Sequence, residues 1–244
     1  MTPYYDDGTC VIYHGDALEM MSDLAAESCG ILVTDPPYSS GTRQATDRKA
    51  SGIPKRGEKW SRAGITWDTS FSAFGLSTYL NHLFRDARRV LRRAAHIYAF
   101  IDWRQYPLMV QTSEAAGLMQ NNLIVWDKGV YALGTNWRSQ HELIAFASNG
   151  PAEELAGHDI GNVLRCQRVS GGDHPTEKPL EIVAPLMRYG SAGIVLDPFE
   201  GSGTTLVAAK QMGRKAIGIE IEERYCEIAA KRLAQEVLDF GGVA

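Results

Sequence analysis

Short apolar runs alternate with amphipathic stretches along the chain, the pattern of an α/β sheet with helices packed on its faces. The runs Cys10–Tyr13, Ile31–Thr34, His96–Ile101, Leu123–Trp126, Leu143–Ala147, Ile194–Asp197 and Ala216–Glu220 are predicted strands. The clearest helix spans about Leu76 to Arg93, where Leu76, Tyr79, Leu80, Leu83, Phe84, Ala87, Val90 and Leu91 recur at spacings of three and four. Arg85, Arg88, Arg89, Arg92 and Arg93 fall off that stripe and read as a solvated face sooner than as a DNA contact. A second helix is expected from Lys178-Pro179, with Pro179 in the first turn, and a third from about Gly203. The last runs from about Glu222 to Leu238, with Tyr225, Ile228, Ala229, Leu233 and Val237 inward. Residues 39–66 and 148–174, rich in Gly and polar side chains, read as insertions into a single domain covering 1–244.

Composition adds little and charge distribution adds more. At 244 residues, 44% hydrophobic and 22% charged, the chain can bury a substantial core of ordinary make-up. No run is long and apolar enough to span a bilayer, and the N-terminus lacks a signal-peptide pattern. Cys10, Cys29, Cys166 and Cys226 are far apart with no C-x-x-C pair, which argues against a zinc or redox site and for a reduced, cytoplasmic setting. The net charge of −4 does not announce nucleic acid. Residues 41–62, however, hold seven basic side chains (Arg43, Arg48, Lys49, Lys55, Arg56, Lys59, Arg62) against Asp47 and Glu58. That excess sits in a Gly/Ser/Pro-rich loop, either a solvated surface or a phosphate-binding one.

Two motifs carry chemistry. The buried strand Gly30-Ile31-Leu32-Val33-Thr34 ends in Asp35-Pro36-Pro37-Tyr38. Two prolines stop strand pairing and stiffen the turn at the carboxyl end of a strand, where α/β sheets bind ligands. Pro37 forces Pro36 into an extended conformation, which points its carbonyl outward beside the Asp35 carboxylate. A base amine is a poor nucleophile because its lone pair is delocalised into the ring. Two acceptors on its N–H groups pull it towards tetrahedral geometry and stabilise the positive charge that develops in the transition state. Tyr38 can stack on a base swung out of the duplex.

The second motif runs Ile194-Val195-Leu196-Asp197-Pro198-Phe199-Glu200-Gly201-Ser202-Gly203-Thr204-Thr205, a strand, a Gly-rich turn and a helix start. Leu206 stands where a dinucleotide fingerprint has its third glycine, and no lysine follows Gly203 as in a phosphate-binding loop, so a phosphate-free cofactor is indicated. Glu220 ends a strand some 20 residues on, placed for ribose hydroxyls.

These residues resemble the beta class of amino-group DNA methyltransferases, with the Phe199, Gly201, Gly203 cofactor motif following the Asp-Pro-Pro-Tyr motif in permuted order. His14-Gly15-Asp16-Ala17, Ile124-Val125-Trp126-Asp127-Lys128, His141-Glu142-Leu143-Ile144 and His174-Pro175-Thr176-Glu177-Lys178-Pro179 resemble further family elements, in the family's order. The resemblance implies a doubly wound, mostly parallel Rossmann-like sheet and S-adenosylmethionine as cofactor, with no metal. It places Asp35, Pro36, Pro37 and Tyr38 at the target base, with Asp197, Pro198, Phe199, Gly201, Ser202, Gly203 and Thr204 around the methionine and sulfonium. Glu220 then holds the ribose, Asp16 and Ala17 lie near the adenine, and Lys178 meets the cofactor carboxylate. Double-stranded DNA with a flipped base is the implied substrate. Arg43, Lys49, Lys55, Arg56 and Lys59 are assigned to phosphate contacts, 148–174 to target recognition, and a homodimer enlarges the footprint. Asp35 favours adenine-N6 as the acceptor over cytosine-N4, because many cytosine-N4 enzymes carry Ser there.

Other classes fit less well. Protein-glutamine methyltransferases use Asn-Pro-Pro-Tyr, and they and related RNA enzymes usually carry the cofactor motif first. A non-catalytic DNA-binding relative should have lost Asp35 or the glycines, and a nicotinamide oxidoreductase is disfavoured by Leu206 and the Pro-Pro turn.

Overall fold

The computed structural model describes residues 1–37, 73–132, 136–169 and 177–235. In chain order the strands are β1 (Tyr5–Asp6), β2 (Cys10–His14), β3 (Cys29–Thr34), β4 (Leu91–Ile101), β5 (Met119–Asp127), β6 (His141–Ser148), β7 (Val163–Arg165), β8 (Val195–Asp197) and β9 (Ala216–Glu220). The helices described are α1 (Ala17–Asp23), α2 (Ala73–Val90), α3 (Tyr106–Ala115), α4 (Leu180–Tyr189), α5 (Thr204–Gln211) and α6 (Glu223–Ala234). All the strands join one sheet in the order β1-β2-β9-β8-β3-β4-β6-β5-β7. The pairs β2–β9, β9–β8, β8–β3, β3–β4 and β5–β7 are parallel, while β1–β2, β4–β6 and β6–β5 are antiparallel.

Alternation along the central strands divides the core into two layers. Cys29 and Leu32 of β3 pack with Leu76, Leu80, Leu83, Phe84 and Met109 of α2 and α3. Ile31 and Val33 pack with Ile182, Val183, Leu206 and Ala229 of α4, α5 and α6. Every residue of β3 is buried, as its unbroken apolar run requires of a strand covered on both faces. The doubly wound, mostly parallel α/β sheet expected from the sequence is therefore present. Its strand order turns back between β3 and β8, so their carboxyl ends flank a switch-point crevice.

All seven expected strands form, several with longer ends, and β1 and β7 add to the sheet edges. The long helix ends at Val90, three residues early, and Leu91 to Arg93 begin β4 instead. Leu91 is buried either way, so its apolar character could not decide between helix and strand. Asn149 Nδ2 lies 3.0, 2.8 and 3.3 Å from the carbonyl oxygens of Arg88, Leu91 and Arg92 and takes up the orphaned groups at that junction. The arginines of α2 are not simply solvated. Arg89 donates to the carbonyls of Met21 and Leu24 at 2.6 Å, closing α1, and Arg88 donates to Ala116 O at 3.1 Å behind α3. Pro179 precedes α4 as its cap instead of lying in its first turn. Within 148–174 the chain is not wholly irregular, because β7 forms the sheet edge beside β5. Val237 and Leu238 fall outside the described residues.

Candidate active site

Thr34 is the last residue of β3 and Asp197 the last of β8, so Asp35 and Asp197 emerge side by side at the switch point. One cleft is lined by Thr34, Asp35, Lys178, Asp197, Phe199 and Glu200 among others, with a volume of about 420 Å³ including its open mouth. Pro36 is buried and Pro37 half-buried, which fixes the turn against the sheet end.

The glycine turn is built by backbone hydrogen bonds. Phe199 N–H donates to Asp197 Oδ1 at 3.1 Å, Glu200 N–H to Ile219 O at 3.1 Å, and Gly203 N–H to Glu200 O at 2.9 Å. Gly203 sits at φ 81°, and a Cβ there would lie 2.7 Å from Ala229 Cβ of α6, so only glycine permits both the left-handed turn and this packing. Glu220, half-buried, accepts from Gly201 N–H at 3.0 Å and from Glu222 N–H at 2.8 Å, which sets its carboxylate beside the turn. The pairing His14↔Glu220 brings Gly15, Asp16 and Ala17 next to it. Asp16 caps α1, accepting from Leu18 N–H at 2.9 Å and Glu19 N–H at 3.2 Å. Tyr79 of α2 reaches Phe199, with ring centroids 6.1 Å apart. Burial raises its phenol, and the nearby Asp16 carboxylate adds to the effect.

Three charges of alternating sign run behind Asp35. Lys178 Nζ donates to Asp35 Oδ2 and lies 3.3 Å from Glu142 Oε1, while Glu142 Oε2 accepts from Lys128 Nζ at 2.6 Å. Both ammoniums also lie over aromatic rings, Lys178 5.1 Å from the Phe100 centroid and Lys128 4.7 Å from that of Trp126. Burial would push the Glu142 carboxyl up, but the two ammoniums outweigh it and hold it at about 2. Burial likewise opposes the charge on Lys178, yet Asp35 and Glu142 raise its affinity for the proton above the ordinary lysine value. The family resemblance implies that Lys178 meets the cofactor carboxylate. Here its ammonium is engaged by two protein carboxylates, because β6 delivers Glu142 beside the turn that carries Asp35.

The acids around the glycine turn behave differently. Burial raises Asp197 to about 7, with Asp35 and Glu220 adding to the effect. Burial raises Glu200 well above a normal carboxylate, and both its oxygens lack a hydrogen-bond partner among the described residues. Its carboxyl occupies the space a Cβ on Gly218 would need. Arg232 of α6 pins the turn from outside, donating to Ser202 O at 2.8 Å and Ser202 Oγ at 3.0 Å and pairing with Glu177 Oε1 at 3.1 Å.

The structure thus brings together Asp16, Ala17, Asp35, Pro36, Pro37, Lys178, Asp197, Pro198, Phe199, Gly201, Ser202, Gly203, Thr204 and Glu220 at one end of the sheet. Tyr38, His174 and the basic set Arg43, Lys49, Lys55, Arg56 and Lys59 lie outside the described residues. Sequence reasoning missed the roles of Glu142, Lys128, Arg232 and Tyr79. The available signal was a charge at each inner end of the β5 and β6 apolar runs.

Comparison with known proteins agrees with this geometry. A family described as DNA methylase, of the N6/N4 type, matches residues 30–164 and 153–231. YubD of Escherichia coli (strain K12), named as a methylase, is 30% identical over 223 residues, covering 90% of this chain and 88% of its own. The M1.HpyAVI–SAM complex superposes with a TM-score of 0.66 at 22% identity, over 92% of this chain and 99% of that one. PvuII DNA methyltransferase, cytosine-N4-specific, superposes at 0.74 with 16% identity, over 97% and 90%. The chain belongs to the N6/N4 family of DNA methylases.

Proposed function

We propose that this protein methylates the N6 amine of adenine in double-stranded DNA, using S-adenosylmethionine and a base flipped out of the duplex. The carrying observation is the placement of Asp35, on a rigid Pro-Pro turn, beside the Asp197–Gly203 turn at the switch point.

The cleft fits a sulfonium cofactor. Its lining includes Asp197, whose ionised form attracts a cation, and its glycine turn presents no lysine for a phosphate. Asp197, Phe199, Gly201, Ser202 and Thr204 would hold the methionine and sulfonium portion, Glu220 the ribose, and Asp16 and Ala17 the adenine. When bound, the cofactor supplies a methyl group on a positively charged sulfur. The protein supplies alignment and charge stabilisation. The Asp35 carboxylate and the Pro36 carbonyl accept the two N–H groups of the target amine, and they bind more strongly as that nitrogen gains positive charge. Lys178 holds Asp35 in place. Tyr38 stacks on the extruded base.

Asp35 also favours adenine, although N4-cytosine methylation is the alternative, being the activity named for the PvuII enzyme. Nucleoside analysis by mass spectrometry of DNA from a host expressing the chain distinguishes them. N6-methyladenine is expected, and N4-methylcytosine would reverse the base assignment. Residues 39–66 serve phosphate contacts, with 148–174 as a short recognition insert in a single domain. Replacing Lys55, Arg56 and Lys59 by Ala then weakens DNA binding and flattens its salt dependence; unchanged affinity and slope would sink that assignment. A homodimer in the cytoplasm is the working form. Sedimentation showing a monomer on DNA would remove the dimer.

A further inference from the structure

Across the catalytic end of the sheet, the cofactor turn after β8 lies on one side of Asp35. On its other side come, in order, the loop after β4 and the β6–β5 hairpin. Register places Thr34 level with Ala99 and Ala145, so Asp35 stands level with Phe100 and Ile144. The hairpin continues past that level through Val125↔Leu143, Trp126↔Glu142 and Asp127↔His141, and then through Lys128 N–H donating to Gln140 O. At about 3.3 Å per residue this carries the hairpin roughly 13 Å beyond the catalytic carboxylate.

Among the described residues of its projecting end, the exposed side chains include two aromatics and an arginine. Trp137 is fully exposed, Tyr131 is 60% exposed and Val130 52% exposed. The Arg138 guanidinium carbon lies 3.6 Å from the Tyr131 ring centroid. Among the described residues Arg138 has no carboxylate partner, whereas the nearby acid Asp127 is already engaged by Arg165. The loop after β4 repeats the combination, with Trp103 52% exposed and Arg104 4.8 Å from its ring, although Arg104 also pairs with Asp102. Exposed tryptophan and tyrosine stacked with arginine offer flat faces to bases and positive charge to phosphates.

We propose that the hairpin end, through Tyr131, Trp137 and Arg138, is a duplex-DNA contact beside the target base, with Trp103 and Arg104 on the same surface. The proposal rests on the reading of this chain as a DNA methyltransferase. Trp137 and Tyr131 pack against sugars and base edges or wedge at the step opened by the extruded base, and Arg138 meets a phosphate. Lys128 and Glu142 at the hairpin's base connect it to Lys178 and Asp35, so a contact at its tip is fixed relative to the reacting amine.

The test measures affinity for PCR-amplified, hence unmethylated, duplex DNA by fluorescence anisotropy, with S-adenosylmethionine affinity by calorimetry as the folding control. Trp137→Ala should weaken duplex binding about tenfold while leaving the salt slope unchanged, as loss of a stack does. Arg138→Ala should lower the slope of log K against log salt by about one. Acrylamide quenching should lose a larger component on DNA addition in the wild type than in Trp137→Phe, where only the other tryptophans can respond. Unaltered DNA affinity and slope in both variants would overturn the proposal. So would a Trp137→Ala variant that falls from dimer to monomer with its DNA affinity intact, since a second copy would then cover the patch. Failure of the wild type itself to bind duplex would overturn the underlying DNA reading instead, and the hairpin assignment with it.

Discussion

Glu142→Gln tests the buried charge chain behind Asp35. Glu142 and Lys128 expose only 10% and 11% of their side chains, and Glu142 is the one anion between two ammoniums. Glutamine keeps the shape and one acceptor but removes the charge, leaving Lys128 facing a dipole and Lys178 with Asp35 as its carboxylate partner. The two ammoniums hold the Glu142 carboxyl below its ordinary value, so its charge stabilises the fold at neutral pH. Breaking a buried pair by removing one partner costs about 3–5 kcal/mol. Burial pulls Lys128 down despite its partner, so the lower end of that range applies. The sign follows from the depressed value. The contribution is fully present above the unfolded carboxyl's value and fades as pH falls from about 4.5 towards about 2. Scanning calorimetry at pH 7.5 should show Tm lowered by about 6–12 °C for a chain of this size. The gap between wild type and variant should narrow below about pH 4.5. A variant within about 1 kcal/mol of wild type at neutral pH, or a gap independent of pH down to 3, would refute the electrostatic reading.

Two further outcomes follow from the cofactor turn. Arg232→Ala removes a charged donor from Ser202 and a partner from Glu177, so it should cost about 2 kcal/mol of stability by urea unfolding and weaken cofactor affinity by calorimetry; unchanged cofactor affinity would show the turn needs no such brace. Because Asp197 titrates at about 7 when buried, it is largely protonated below that value, and a sulfonium favours its ionised form. Cofactor binding should therefore tighten between pH 6 and pH 8, with proton release visible as a buffer-dependent binding enthalpy; pH-independent affinity would contradict the assignment.

The two chemical motifs were legible because each binds a fixed backbone shape to a reactive group: prolines after a buried strand, and glycines before a helix. The doubly wound fold was legible for the same reason, since β3 and β8 are continuous apolar runs and α2 carries a clean stripe. What remained hidden depends on distant pairing. Nothing local in Glu142 says that β6 will lie antiparallel to β4 and face Lys178, 36 residues later in the chain. Arg88 and Arg89 looked solvated because carbonyl partners on α1 and behind α3 leave no trace in periodicity. The junction at Val90–Leu91 was missed because a buried leucine suits either element. Short elements such as β1, β7 and α1 carry too few residues for a period to show.

In the proposed reaction Asp35 binds the reacting amine and not the cofactor. Asp35→Ala and wild type should be compared in single-turnover reactions with radiolabelled S-adenosylmethionine and unmethylated duplex DNA, with cofactor affinity measured in parallel. The variant should bind cofactor within about twofold of wild type while transfer falls by at least about a hundredfold, as loss of a preorganised transition-state contact does. Wild-type transfer in Asp35→Ala would contradict that role of Asp35.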